Sequence, residues 1–168
     1  MQGHLFLIGF MGAGKTAVSN ALSAKSGIPV LNTDEQIRRQ EGMEIAEIFA
    51  QKGEGYFRNL ETQLLASLQG QEAKIISCGG GMPLRPQNAA LMQAAGTVIW
   101  LTVSPETVFE RLQNDHSRPL LANRRDPAAI AELMEAMDEQ QNKRSAVEAE
   151  NDQCHRHAAS LYSLHYSI

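Results

Sequence analysis

The stretch Gly9-Phe10-Met11-Gly12-Ala13-Gly14-Lys15-Thr16, "GFMGAGKT", decides how the rest of the sequence is read. The apolar run "HLFLI" precedes it, and "AVSNALSAK", with the residues of a helix, follows it. Gly9, Gly14, Lys15 and Thr16 satisfy the pattern G-x-x-x-x-G-K-[ST]. Glycines permit the positive φ angles that turn successive backbone N–H groups inward, making a nest for phosphate oxygens. The following helix aims the positive end of its dipole at the same anion. In such a loop Lys15 reaches the β and γ phosphates, and Thr16 offers its hydroxyl to Mg2+. A glycine-rich turn that merely joins strand to helix is the plainer alternative, and the strand-loop-helix context argues against it.

Outward from this loop, apolar runs alternate with helix-like stretches. "IPVLNTD" follows the first helix; a long helical region then runs from about Glu35 to Leu68. "AKIISC", a turn at "GGGMP", "QNAALMQAAG", "TVIWLTV" and "SPETVFERLQND" come next. Short apolar runs with little polar alternation suit a parallel sheet covered on both faces, so the pattern predicts a doubly wound α/β domain. Ser104-Pro105-Glu106 reads as a helix start, a capping residue followed by proline at the first helical position. The polar, arginine-rich segment "HSRPLLANRRDP" reads as a loop able to close over a ligand, a lid at about 115–127. From Ala128 to about Glu150 the chain looks helical and solvent-washed, and Leu164, Tyr166 and Ile168 alternate as in a strand.

The chain has 168 residues, enough for one buried core and too few for two ordinary domains, so residues 1–168 are expected to form one domain. Hydrophobic residues make up 43% and charged residues 20%, the balance of a soluble globular protein. A net charge of -4 argues against nonspecific nucleic-acid binding, and no apolar run approaches the roughly 20 residues that span a bilayer. The N-terminus lacks the basic region and cleavage site of a leader. Cys78 and Cys154 suggest neither a disulfide framework nor a zinc site, which fits a reducing cytoplasm.

Candidate acceptor residues lie further along. Asp34 falls at the carboxyl end of the second apolar run, where open α/β sheets gather ligands. A carboxylate there can accept a hydroxyl proton and orient the oxygen for in-line attack; equally, Asp34 could simply cap the next helix. "GEGYFRNLE" holds Glu54, Phe57, Arg58 and Glu61, and "CGGGMP" places Gly79, Gly80 and Gly81 after the third apolar run. The glycines allow close approach of a ligand to the backbone, and an arginine fork suits a planar carboxylate. Taken alone, Arg58 reads as a surface ion-pair partner.

"GFMGAGKT", Asp34, "GEGYFRNLE", "GGGMP" and the lid string "SRPLL" together resemble the shikimate kinases in order and spacing, from about Leu5 to Leu121. The resemblance implies a three-layer α/β/α P-loop kinase with a five-stranded parallel sheet in the order 2-3-1-4-5. It implies transfer of the γ-phosphate of ATP to the 3-hydroxyl of shikimate, on the way to chorismate and the aromatic amino acids. Its catalytic residues would be Lys15, Asp34 and Arg118. ATP would meet Gly12, Ala13, Gly14, Lys15, Thr16, Ala17, Arg111 and Arg118, with Arg111 near the adenine. Shikimate would meet Asp34, Arg58, Gly79, Gly80 and Gly81. The implied protein is a cytoplasmic, Mg2+-dependent monomer without nucleic-acid or membrane partners.

The sequence departs from that family at named places. Asn32 stands where the family has the first aspartate of a D-x-D pair linked with Mg2+, which is expected to weaken metal binding without abolishing chemistry, Thr16 and the phosphates remaining as ligands. A second carboxylate-binding arginine is expected after the lid, and ungapped counting from "RPLL" lands near Met137. Arg144 is the nearest arginine downstream, but seven helical residues span roughly 10 Å. Arg124 and Arg125 are further candidates, each read individually as solvated surface. The tail, with His155 and His157, lacks the family's pattern and a metal-ligand set. These departures keep two rivals open: a related kinase acting on gluconate or another polyol acid, and a nucleotide-binding relative with impaired catalysis.

Overall fold

The computed structural model describes residues 3–112, 126–137 and 166–167. The apolar runs become strands and the segments between them helices. Strand β1 (His4–Ile8) leads through the glycine loop into helix α1 (Lys15–Ser26), then β2 (Val30–Asn32). Three helices follow, α2 (Thr33–Glu41), α3 (Ile45–Lys52) and α4 (Glu54–Ser67). Next come β3 (Ile75–Ser77), a 3-10 turn (Met82–Leu84), α5 (Pro86–Ala95), β4 (Gly96–Thr102) and α6 (Pro105–Leu112). A helix covers 127–137, and β5 (Tyr166–Ser167) is the last described element. The five strands form one sheet in the order β2-β3-β1-β4-β5, as expected. β3 pairs in parallel with β1 and β2, Ile75 standing opposite both Leu5 and Val30, and β4 pairs in parallel with β5. The chain divides into two compact units, Met1–Gly9 with Gly14–Ile99, and Phe10–Ala13 with Trp100–Ile168.

In the first unit the central strands carry the burial. Phe6, Leu7, Ile75 and Ile76 are all fully enclosed, each such side chain contributing about 1.5–3 kcal/mol by leaving water. His4, also buried, is fixed by both ring nitrogens. Nδ1 accepts from the Lys74 N–H at 3.1 Å, so Nε2 carries the proton and donates to the Leu68 carbonyl at 2.8 Å. This ties the start of β1 to the end of α4 and the start of β3.

The helical stretch expected over about 35–68 is broken into three, because Gly42 and Gly53 take positive φ angles at the ends of α2 and α3. Three short helices can enclose a core that one straight helix cannot. Ile37, Ile48, Phe57 and Leu60 meet inside them, with the Phe49 and Phe57 rings 4.9 Å apart. Their outer ends are joined by Glu41, whose carboxylate accepts from Lys52 Nζ at 2.7 Å and from the Tyr56 hydroxyl at 3.1 Å.

The second unit has its own apolar cluster. Phe10, Val108 and Ile130 are buried, and Met11, Phe109, Leu112, Leu133, Met134 and Met137 pack against them. α6 begins where the sequence places it: Pro105 is its first residue and the Ser104 hydroxyl accepts from the Thr107 N–H at 3.3 Å. No described helix is long and apolar enough to cross a membrane.

Candidate active site

The phosphate loop takes the backbone form its glycines permit. Gly14, at φ +88, is the N-cap of α1 and supplies no side-chain cap, and the loop opens directly onto the positive end of the helix dipole. Lys15 folds back and donates from Nζ to the Gly9 carbonyl at 2.7 Å. Thr16 and Ala17 are exposed on the first turn. In the second unit, Gly12 sits at φ +78 and the Ala13 N–H donates to the Phe10 carbonyl at 3.2 Å. Arg111, on α6, donates from Nη1 to the Gly12 carbonyl at 2.7 Å, which places this arginine against the loop itself.

The candidate acceptor residues gather wholly within the first unit, at the carboxyl ends of β2 and β3. The paired ladder stops at Asn32 opposite Ser77, and α2 begins at once. Asn32 is the cap of α2, its side-chain oxygen accepting from the Glu35 N–H at 3.2 Å. With Asn32 holding the cap position, this corrects the capping alternative for Asp34, which lies inside the first helical turn, one residue past the start of α2. Its carboxylate instead stands over Gly79, where a Cβ would run into Oδ1. At Gly81 a Cβ would lie 2.5 Å from Arg58 Nη1, so the guanidinium covers that glycine. Gly80, between them, faces the Gly9 carbonyl, 3.8 Å from where its Cβ would stand.

Arg58 combines both sequence readings. It carries ion pairs, Nη2 to Glu54 Oε1 and Nη1 to Glu61 Oε2, each at 3.0 Å. Yet its side chain is only 19% exposed and lies on the glycine turn, not on open surface. Burial works against its charge, and the Glu61 and Glu54 carboxylates more than offset that. The turn is braced from the helix that carries Arg58: Arg85 Nη1 donates to Asn59 Oδ1 at 2.9 Å. The Thr62 hydroxyl donates to buried Asn88 Oδ1 at 2.7 Å, and Asn88 Nδ2 donates to the Met82 carbonyl at 2.9 Å.

Glu61 received no role from the sequence, although Phe57, Glu61 and Leu65 recur at helical spacing and place it on the buried stripe of α4. It is 1% exposed, and Oε1 has no hydrogen-bond partner among the described residues. Burial pushes its carboxyl up to about 7, against the pull of Arg58 and with a further push from Asp34. Burial likewise raises the Cys78 thiol, opposed by Lys15 and reinforced by Asp34 and Glu61. The charges of Lys15, Asp34 and Glu61 therefore converge on the end of β3.

Met137, the position at which a second arginine is expected, packs with the apolar cluster of its unit. Most of the lid at 115–127, with Arg118, Arg124 and Arg125, lies outside the described residues, as do Arg144, Cys154, His155, His157, Leu164 and Ile168.

A family model described as shikimate kinase matches residues 11–163. This chain belongs to the shikimate kinase family. Among curated shikimate kinases, that of Persephonella marina is 42% identical over 79% of this chain and 79% of its own. That of Sulfurihydrogenibium sp. is 44% identical over 70% and 71%. The solved shikimate kinase of Acinetobacter baumannii, in complex with shikimate, superposes with a TM-score of 0.78 at 30% identity, covering 86% of this chain and 80% of that one. The Aquifex aeolicus shikimate kinase superposes at 0.70 with 36% identity, over 83% and 82%. Membership of the shikimate kinase family makes this chain an ATP-dependent phosphotransferase with a hydroxyl group as acceptor.

Proposed function

We propose that this chain transfers the γ-phosphate of ATP to the 3-hydroxyl of shikimate, as one catalytic domain of residues 1–168. The observation that carries this reading is the gathering of Asp34 and Arg58 over Gly79 and Gly81, with Gly80 facing the Gly9 carbonyl that receives Lys15. Asp34 accepts the hydroxyl proton and aims the oxygen at phosphorus. Arg58 grips the substrate carboxylate. Its exposed i,i+4 pair with Glu54 is weak and gives way to that carboxylate, while buried Glu61 keeps the guanidinium in place. Gly79, Gly80 and Gly81 let the sugar-acid ring lie close to the backbone.

On the nucleotide side, Gly12, Ala13, Gly14, Lys15, Thr16 and Ala17 take the phosphates, and Arg111 flanks the loop. Arg118 closes with the lid, and Arg144 is a candidate second carboxylate partner. Mg2+ fits the oxygen donors present. Among the described residues no cluster of three or more His, Cys, Asp or Glu forms a cage, which suits an ion carried mainly by phosphate and water with the Thr16 hydroxyl. When bound it neutralises phosphate charge. Asn32 acts on it only indirectly, since its side-chain oxygen is engaged in the cap of α2. We place the protein in the cytoplasm as a monomer, acting on small molecules rather than nucleic acid or membrane.

A coupled ADP-release assay with shikimate and a panel of other hydroxy acids tests the reading. Activity on another acid with none on shikimate overturns it. Arg58→Ala is expected to raise KM for shikimate far more than KM for ATP; equal effects contradict the carboxylate assignment.

A further inference from the structure

Thr33 lies between the helix cap and the proposed base, and it is fully buried. Its hydroxyl accepts from the Gly79 N–H at 2.9 Å and donates to the Ser77 carbonyl at 3.4 Å. The reason for both bonds lies in the ladder between β2 and β3. The Ile75 N–H donates to the Pro29 carbonyl, and a step of four residues along each strand brings the Gly79 N–H to the rung at which Thr33 would supply the acceptor. By that point β2 has already turned into α2, so a main-chain acceptor is no longer presented. A side-chain hydroxyl, donor and acceptor at once, continues the ladder for one more rung.

Gly79 is therefore held on two sides by consecutive residues. Thr33 grips its N–H, and the carboxylate of Asp34 rests where its Cβ would be. The peptide between Thr33 and Asp34 has little freedom, because it lies within the first turn of a capped helix. We propose that Thr33 is a positioning residue for phosphoryl transfer: its hydroxyl locks the glycine turn against α2 and so sets where the Asp34 carboxylate stands. This rests on the acceptor role given to Asp34 above.

Misplacing a catalytic group by about 1 Å can cost on the order of a hundred-fold in rate. Thr33→Val keeps the shape and removes both bonds, so kcat for shikimate-dependent ADP release is expected to fall about 10- to 100-fold, with the dissociation constant for ATP unchanged. Thr33→Ser restores the hydroxyl and is expected to recover kcat to within about three-fold of the parent, a rescue that lost packing alone would not give. Thr33→Val with parental kcat overturns the proposal, as does Thr33→Ser impaired as deeply as Thr33→Val. Equal losses in ATP binding and kcat also overturn it. If Thr33→Val does not fold, Thr33→Ala carries the comparison: a fall in its kcat with ATP binding kept and with recovery in Thr33→Ser supports the proposal, and parental kcat overturns it. A parent chain inactive on shikimate would instead remove the acceptor reading itself.

Discussion

The two glycine-rich stretches, "GFMGAGKT" and the triple glycine after β3, use the same residue for different physical reasons. Gly12 and Gly14 adopt left-handed φ angles of +78 and +88, so their glycines are demanded by the backbone. None of Gly79, Gly80 and Gly81 takes a left-handed φ; Gly81, for example, sits at -89, which any residue can adopt. There it is neighbours that favour glycine at Gly79 and Gly81, since a Cβ would displace the Asp34 carboxylate at one end and the Arg58 guanidinium at the other. One stretch shapes its own chain to receive an anion. The other leaves room for side chains delivered by α2 and α4.

This contrast can be broken by substitution. The largest effect is expected from Lys15→Ala, which removes the charge of the loop and should lower turnover by about 10³-fold or more. Retained ADP release would remove Lys15 from the mechanism.

Next is the titration of Glu61, the buried acid on the acceptor side. Its carboxyl is raised from 4.5 to about 7, so the folded chain holds this proton more tightly than the unfolded one. The resulting stabilisation is complete below pH 4.5 and is lost as pH rises to about 7, a total on the order of 3 kcal/mol. Melting temperatures taken across that window should show the slope in the parent and a flatter profile in Glu61→Gln. Identical slopes would mean that Glu61 is not the group responsible.

The paired alanines separate the two uses of glycine. Gly81→Ala suits its backbone angle but displaces Arg58, and losing a charge-assisted contact of about 1.5–3 kcal/mol should raise KM for shikimate roughly ten-fold or more. KM for ATP should stay constant. Gly14→Ala should do the reverse, weakening ATP through a backbone strain of about 1–2 kcal/mol. If both variants damaged the same constant, the distinction would fail. The smallest change expected is at Asn32. Asn32→Ala removes the cap of α2 and should cost about 1 kcal/mol in denaturant unfolding, while Asn32→Asp keeps it.

Much of the architecture was legible from apolar runs and punctuation. β1, α1, β3, α5, β4 and α6 fall where "HLFLI", "KTAVSNALSAKSG", "AKIISC", "QNAALMQAAG", "TVIWLTV" and "SPETVFERLQND" place them. The region before β3 was readable as helical but not as three helices, although Gly42 and Gly53 were the available signals. In the sequence Asn32 stands out only for the charge it lacks, whereas its capping bond to Glu35 depends on where β2 stops.

The sequence alone determined the phosphate loop, because a left-handed turn and a helix N-terminus are local demands met by neighbouring residues. It also determined the alternation that makes a parallel sheet. Only the tertiary structure decided what Asp34, Arg58 and Glu61 do together. Their meeting at Gly79 and Gly81 joins α2, α4 and the end of β3, and Glu61 becomes an unusual acid only by being buried there. Burial and the absence of a Cβ collision are properties of distant neighbours, which no local pattern contains.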